Sequence, residues 1–207
     1  MSAGPDPQAD PGALLAALPG PPQGPAELLA AWFDTPLGGM IAVADQERLH
    51  LLEFLERAAL PAELRRLAAR GRIGPGRTAV TDRTEAQIAG YFAGERAAFD
   101  LPLVLHGTDF QQQVWRELQR LPAGTTTSYA ELARRIGRPS AVRAVARANG
   151  ANQIAVVIPC HRVIGSDGGL TGYGGGLWRK QALIRHEVEG FRVAKGRAGA
   201  ENPGEKA

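Results

Sequence analysis

The chain has 207 residues, of which 44% are hydrophobic and 22% charged, and its net charge is +3, values that suit one large or two small globular domains. A single cysteine excludes a disulfide framework and a zinc site made of clustered cysteines. No stretch approaches the roughly 18 apolar residues of a membrane span, and no secretion signal is recognised, so we expect an intracellular, reducing environment.

The N-terminal segment differs in composition from the rest of the chain. Residues 1–25 are rich in Pro, Gly and Ala without lasting periodicity, which predicts a disordered leader with a helical fragment at Leu14 and Leu15. Apolar runs bounded by turn residues then predict antiparallel strands over residues 40–44 and 49–54.

Helical spacing of apolar residues predicts helices over residues 61–70 and 84–92. A glycine-rich loop is expected between them at residues 71–77, and a last strand over residues 98–105. Residues 26–105 are therefore expected to form a small α/β domain with an antiparallel sheet.

The second half, residues 106–193, is predicted to be mostly helical. Asp109 is expected to cap a helix that the Pro-Ala-Gly sequence at residues 122–124 ends. Glycine, proline and charged residues at 194–207 predict a flexible tail.

Two short helices are predicted in the middle of this half. Ser128 opens a Ser-Tyr-Ala-Glu pattern, which matches a capping box and predicts a helix over residues 129–136. Ser140 is expected to cap a further helix over residues 141–149, which Gly150 closes. Such a pair joined by a glycine-containing turn is typical of a helix-turn-helix, although other helical hairpins share the pattern.

Positive charge is concentrated in the second half. Residues 106–187 carry 11 Arg or Lys against five Asp or Glu, whereas the rest of the chain is net −3. Arg143 and Arg147 lie four residues apart and share one helix face, while Val142 and Val145 can pack inward. A polyanion, with nucleic acid foremost, is the expected partner, and a solvated arginine-rich surface is the alternative.

The only cysteine lies in the sequence Ile158-Pro159-Cys160-His161-Arg162-Val163-Ile164, the cysteine motif. Pro159 ends an apolar run, and the thiol then stands beside two potential cations. A neighbouring cation lowers the pKa of a thiol, and the thiolate is the nucleophile. We therefore predict a reactive cysteine, the alternative being a buried cysteine that serves only as a small apolar side chain.

Several motifs occur in order through residues 108–187. They are Phe110-Gln111-Gln112-Gln113-Val114-Trp115, Thr127-Ser128-Tyr129, Ala141-Val142-Arg143-Ala144-Val145, residues 149–152, the cysteine motif, Gly172-Tyr173 and His186-Glu187. With them the chain resembles the O6-alkylguanine-DNA alkyltransferase (methylated-DNA–protein-cysteine methyltransferase) family. The N-terminal half matches more loosely, chiefly at residues 33–38.

The resemblance implies an α/β (α+β) fold, with an RNase H-like domain over residues 26–105 and a helix-turn-helix alkyltransferase domain over residues 106–193. It implies repair of duplex DNA by irreversible transfer of a methyl or other alkyl group from O6 of guanine to Cys160. O4 of thymine is left open as a second target. A single turnover, base flipping, minor-groove contact, a monomer, no cofactor and a cytoplasmic, nucleoid-associated location are expected with it.

The resemblance also assigns catalytic roles. Cys160 is the acceptor, His161 takes the thiol proton through a water, and Glu187 orients the histidine. Tyr129 helps to rotate the nucleotide and gives a proton to the departing guanine. Asn152 ties the helix to the cysteine loop.

The remaining implied residues contact DNA or line the base pocket. Arg143 is expected to fill the place of the flipped nucleotide. The other expected DNA contacts are Tyr129, Gln111, Arg138, Arg147 and Ser166. The expected base pocket consists of Ala155, Val163, Tyr173, Gly174 and Trp178. Three glycines at residues 174–176 either open this pocket to larger O6 adducts, or Trp178 closes it again. No metal ligand is expected.

Three other functions are considered. A non-catalytic lesion recogniser would flip the base and recruit other repair proteins, but such relatives lack the cysteine. A cysteine hydrolase would use Cys160 and His161, although hydrolase partners usually lie apart in sequence. A helix-turn-helix regulator would bind undamaged DNA with sequence specificity.

Overall fold

The computed structural model describes residues 10–18 and 27–197. It is a mixed α/β protein with a four-stranded sheet in its first half and mainly helices in its second. The helices are α1 (Pro11–Ala16), α2 (Leu60–Ala68), α3 (Ala79–Phe92), α4 (Asp109–Leu118), α5 (Tyr129–Arg135), α6 (Val142–Gly150) and α7 (Leu177–Arg197). The strands are β1 (Leu28–Phe33), β2 (Met40–Ala44), β3 (Leu49–Phe54), β4 (Ile73–Pro75), β5 (Thr127–Ser128) and β6 (Val163–Ile164).

The four-stranded sheet has the order β3-β2-β1-β4. The predicted strands at 40–44 and 49–54 are confirmed, and they pair antiparallel. The expectation of an antiparallel sheet is wrong at one edge, because β4 lies parallel to β1 within the stretch predicted as loop 71–77. The Ile-Gly-Pro sequence of β4 lacks the alternation of apolar and polar residues that would predict a strand. Proline is tolerated there because β4 is an edge strand.

The strand predicted over residues 98–105 does not form. Only Leu103 makes an isolated bridge, to Leu49, flanked by hydrogen bonds from Leu49 N to Pro102 O and from Val104 N to Leu49 O. Pro102 has no N–H with which to extend the ladder. The segment therefore runs beside the edge of β3 as an extended connection to the helical half.

Both faces of the sheet are buried, because successive side chains of a strand point to opposite faces. On one face Ile41, Val43 and Leu51 pack with α2. On the other face Met40 and Leu52 belong to a larger core that includes the helices of the second half. The second half is thus built directly onto the sheet.

The N-terminal segment differs from the predicted disordered leader over residues 10–18. Asp10 caps α1, whose Leu15 is buried against the sheet, in agreement with the helical fragment predicted at Leu14 and Leu15. The other residues of the predicted leader lie outside the described ranges. At the other end α7 continues through Arg197, so the first four residues of the predicted tail are helical.

The helix N-caps differ from the predicted ones in three places. At α5 the Ser128 hydroxyl accepts from Glu131 N, but the Glu131 carboxylate pairs with Arg134 and Arg135 and does not complete the predicted capping box. Thr108, not Asp109, caps α4, since its hydroxyl accepts from Gln111 N while the Gln111 side chain accepts from Thr108 N. Ser140 does not cap α6, because a turn in which Ala141 N donates to Arg138 O delays the helix to Val142.

The end of α6 also differs from prediction. Gly150 is the last residue of α6 rather than a closing residue beyond it, and Ala151 occupies the C-cap. Gly137, with φ +72°, follows the C-cap of α5 and is the glycine of the turn predicted between the two short helices. Within residues 10–18 and 27–197, no helix has the length and apolarity needed to cross a membrane.

Candidate active site

The cysteine loop is attached to the edge of β3. Leu52 N donates to Gln153 O at 2.9 Å, and Ala155 N donates to Leu52 O at 2.7 Å. The chain then turns through Val156, whose φ of +68° is unusual for a β-branched residue. Cys160 follows four residues later, at the start of a short 3-10 turn, Cys160–Arg162. The sheet therefore sets the position of the thiol.

Two asparagines at the end of α6 hold this loop. Asn152 Nδ2 donates to Ile158 O at 2.9 Å and lies 3.2 Å from Cys160 Sγ. Asn149 Nδ2 donates to Cys160 O at 3.2 Å. The structure thus brings the predicted residues Asn152 and Cys160 together, and adds Asn149, which the sequence analysis did not single out as a site residue.

The expectation of a lowered thiol pKa is wrong. Burial raises the pKa of Cys160 to about 11, and Glu53 adds to this effect. The hydrogen bond from Asn152 and the charges of Arg57 and Lys180 act in the opposite direction. The adjacent residues His161 and Arg162 do not lower it, because their side chains are directed to Glu187 instead.

His161 and Glu187 form a buried pair. His161 Nε2 lies 2.8 Å from Glu187 Oε1, and their side chains are 0% and 1% exposed. Burial would raise the pKa of Glu187, but the hydrogen bonds from His161 and Arg162 and the charge of Arg162 hold it well below its usual range. Burial also lowers the pKa of His161, in spite of Glu187, so the ring is neutral.

These charges identify the tautomer of His161. An ionised Glu187 can only accept hydrogen bonds, so Nε2 of the neutral ring carries the proton and donates it. Nδ1 is then the unprotonated nitrogen. It is buried, and among the described residues it has no hydrogen-bond partner. The free lone pair of Nδ1 is therefore available as a base.

Glu187 is held by further donors from other elements. Arg162 Nη2 donates to Oε1 at 2.7 Å, and Tyr91 of α3 donates to the same oxygen at 2.9 Å. Gly124 N donates to Oε2 at 3.1 Å. The sequence indicated Gly124 only as part of a helix stop and gave no role to Tyr91, since neither lies in a motif that signals contact with a residue on α7.

The residues expected to contact DNA lie mostly on the surface. Arg138, Arg143, Arg147 and Ser166 are exposed. Among the described residues, neither Arg143 nor Arg147 forms an ion pair, so both charges are available to a ligand. Gln111 is half-buried and uses its carbonyl oxygen in the α4 cap, which leaves only its amide donors free.

Of the five expected pocket residues, Ala155 and Val163 are buried in the same core as Cys160, and Tyr173 packs against that core. The Tyr173 hydroxyl is buried without a partner among the described residues, and Gly174 comes next in the pocket loop, residues 172–176. Trp178 differs, because it is 56% exposed and stacks on the Arg179 guanidinium at 4.4 Å.

Two basic residues that the sequence analysis did not assign to the site support the pocket loop. Lys180 is fully buried and donates to Val163 O at 2.6 Å and Thr171 O at 2.7 Å. Arg179 donates to Gly175 O at 2.9 Å and to Leu37 O at 2.7 Å. The second contact links the loop to the β1–β2 turn, a relationship that local sequence does not signal.

Tyr129 begins α5 beside this loop. Its hydroxyl lies 3.4 Å from Thr171 O, and Lys180 Nζ lies 6.0 Å from the centre of its ring.

No group of three His, Cys, Asp or Glu side chains suited to a metal ion occurs in the part of the chain that the structure describes.

Comparison with known proteins identifies the family. Residues 109–189 match the family model described as the DNA binding domain of 6-O-methylguanine DNA methyltransferase. The methylated-DNA–protein-cysteine methyltransferase of Salmonella typhimurium is 43% identical over 164 residues, which are 77% of this chain and 95% of the relative. The protein of that name from Mycolicibacterium paratuberculosis is 55% identical over 119 residues, 55% of this chain and 72% of the relative.

Solved structures agree. The crystal structure of Mycobacterium tuberculosis OGT in complex with DNA superposes with a TM-score of 0.69 at 42% identity, and covers 79% of this chain and 93% of that chain. The Mycobacterium tuberculosis O6-methylguanine methyltransferase gives a TM-score of 0.68 at 42% identity, over 78% and 93% of the two chains. This chain belongs to the methylated-DNA–protein-cysteine methyltransferase family.

Proposed function

We propose that the chain repairs duplex DNA by transferring a methyl or other alkyl group from O6 of guanine to Cys160. The observation that carries the proposal is the thiol within 3.2 Å of Asn152, with the next residue a histidine that is buried against Glu187. This is the nucleophile, base and orienting carboxylate of nucleophilic catalysis. Family membership supports the same activity.

The thiol requires a base, because its pKa of about 11 keeps it protonated near neutral pH. His161 Nδ1 is the available base, and we propose that a water carries the proton from Sγ to it. The resulting imidazolium is stabilised by Glu187, which stays ionised throughout. Asn152 donates toward sulfur and stabilises the thiolate that forms.

The thiolate then attacks the alkyl carbon. A carbon–sulfur bond forms as the carbon–O6 bond breaks, and the electron pair of the broken bond stays on the guanine. Tyr129 donates a proton to the departing base. The thioether formed on Cys160 is stable, so each molecule acts once. These bond changes and proton transfers require no cofactor.

The exposed arginines of α6 are proposed to meet DNA. The pair α5 and α6 acts as a helix-turn-helix that enters the minor groove, with Arg143 taking the place of the extruded nucleotide. Arg147, Arg138, Ser166 and the free amide of Gln111 contact the backbone, which suits recognition that does not depend on sequence. The first half is proposed to be RNase H-like, and the protein to act as a monomer in the cytoplasm with the nucleoid.

The test is the intact mass of the protein after incubation with a duplex that carries one O6-methylguanine, and then peptide mapping. A gain of one methyl group confined to the Cys160 peptide is the expected result. An unchanged mass with tight lesion binding would identify a recogniser instead. Turnover of an ester or amide at Cys160 would identify a hydrolase.

A further inference from the structure

A buried charged cluster lies at the end of β3. It consists of Glu53 on β3, Arg57 in the turn after β3 and Glu63 on α2, and we call it the Arg57 cluster. The three residues are 1%, 8% and 3% exposed. The proposed chemistry uses none of them, although Arg57 and Glu53 both influence the pKa of the Cys160 thiol.

Arg57 contacts α6 from one side. Its Nε donates to both carboxylate oxygens of Glu63 at 3.2 Å, and its Nη2 donates to Glu63 Oε1 at 2.8 Å. The same Nη2 donates to the carbonyl of Gly150 at 3.2 Å. Gly150 is the last residue of α6, which carries Arg143. Glu63 therefore fixes a guanidinium that holds the C-terminal end of this helix.

The other side of Arg57 lies against the pocket loop. A Cβ placed on Gly174 would overlap Arg57 Nη1, so the guanidinium packs directly on the backbone of this loop. Only glycine allows so close an approach. One side chain from the first half thus contacts both the end of α6 and the loop that borders the thiol.

The cluster holds a single cation. Burial opposes the charge of Arg57, but Glu53 and Glu63 outweigh it and raise its pKa. Burial also raises the pKa of Glu53 to about 8, in spite of Arg57 and with a contribution from Glu63, so Glu53 is mostly protonated at neutral pH. A buried ion pair is seldom more stabilising than apolar side chains of the same volume. Stability alone is therefore a weak reason for this arrangement.

We propose that Arg57 is a positioning residue that holds α6 and the pocket loop at a defined separation. This inference rests on the proposed function. In duplex DNA the backbone is held by α6 while the extruded base lies in the pocket, so the two elements must be aligned for reaction. A free O6-alkylguanine occupies the pocket alone and does not need that alignment. Misplacement of a reacting group by about 1 Å can cost on the order of a hundredfold in rate.

Arg57→Lys tests the proposal. Lysine keeps the charge beside Glu63 but lacks the planar fork that reaches Gly150 and Gly174 together. We expect the single-turnover rate constant for methyl transfer from an O6-methylguanine duplex to fall on the order of tenfold. Reaction with free O6-benzylguanine should change by less than about twofold, and the affinity for the duplex should be unchanged, because no proposed DNA contact is lost.

Arg179→Lys is the matched control. Arg179 is also a buried arginine that joins the first half to the pocket loop, through Leu37 and Gly175, but among the described residues it makes no hydrogen bond to α6. Its effect should therefore be similar on the two substrates. A double-mutant cycle that combines Arg57→Lys with Arg143→Ala gives a second measurement. Because Arg57 and Arg143 act through the same helix, the double variant should be slowed on duplex by less than the product of the single effects.

Equal slowing of Arg57→Lys on duplex and free base would overturn the proposal, and so would an unchanged rate on duplex. Thermal unfolding verifies that each variant folds. If Arg57→Lys does not fold, the double variant Arg57→Met/Glu63→Met removes the buried charges together and allows the same comparison. A wild-type protein that transfers no methyl group at all would contradict the proposed function rather than the role of Arg57.

Discussion

Glu187 Oε1 accepts hydrogen bonds from both His161 Nε2, at 2.8 Å, and Arg162 Nη2, at 2.7 Å. One carboxylate on α7 thereby directs two adjacent side chains of the cysteine motif away from the thiol. The arrangement leaves His161 neutral and Nδ1 without a hydrogen-bond partner among the described residues, which suits the ring to act as a base rather than as a cation that lowers the pKa of Cys160. The proposed reactivity of this cysteine thus requires a proton acceptor, and that requirement can be tested at several residues.

Replacing Glu187 by Gln should slow methyl transfer from duplex DNA by roughly a hundredfold, because the imidazolium of His161 loses its counter-charge. It should also lower the free energy of unfolding by about 3–5 kcal/mol, since Arg162 remains buried without an anionic partner. Single-turnover kinetics and urea unfolding measure the two effects. The control is Arg185→Gln, an exposed position on the same helix. An unchanged rate of methyl transfer in Glu187→Gln would contradict the assignment of His161 as the base.

Cys160→Ala should abolish methyl transfer while it preserves binding to the lesion, because the thiol makes no proposed contact with the DNA backbone. Gel-shift titration against O6-methylguanine and unmodified duplexes measures binding, and intact mass measures transfer. If the variant folds but no longer binds DNA, the thiol has a structural role that the proposal does not include.

The free protein should react slowly with iodoacetamide at pH 7, and the rate should rise about tenfold per pH unit toward pH 11, because only the thiolate reacts. The Cys160 pKa of about 11 sets the upper end of that rise. Mass spectrometry of the Cys160 peptide at several pH values from neutral upward gives the profile. A rate already at its plateau at neutral pH would mean that the thiol is ionised without the base.

Arg143→Ala should slow transfer from duplex DNA more than transfer from free O6-alkylguanine, because the free base needs no extrusion. The loss on duplex should be on the order of tenfold or more. Arg143→Lys distinguishes charge from shape, as lysine keeps the charge on the exposed face of α6. Equal slowing on both substrates would exclude the role of Arg143 in extrusion.

The stability of the fold should depend on pH through His106. Burial, with the charges of His50 and Arg70, lowers the pKa of His106 to about 4. Between about pH 6.5 and 4 the unfolded chain binds this proton and the folded chain does not, so stability falls as the pH falls. His106→Asn should reduce the difference in urea midpoint between about pH 7 and pH 4.5. A difference as large as in the wild type would assign the effect to other groups.

Local sequence predicted the elements whose signals are local. The periodicity of β2, β3 and the helices, the glycine that ends α5 and the exposed faces of Arg143 and Arg147 all depend on residues close together in the chain. The motif around Cys160 likewise predicts the segment proposed to react, and the family resemblance linked it to Glu187, which His161 and Arg162 contact in the structure. These features need only neighbouring residues or an ordered set of motifs.

The protonation state of the site was decided by the tertiary structure. Sequence adjacency placed His161 and Arg162 beside the thiol, but both side chains of this 3-10 turn reach α7 instead of the sulfur. Burial of Cys160, the lone pair on His161 Nδ1 and the contacts of Arg57 with α6 and the pocket loop arise from segments far apart in the chain. Desolvation and long-range pairing depend on what surrounds a group in space, and no local pattern encodes them.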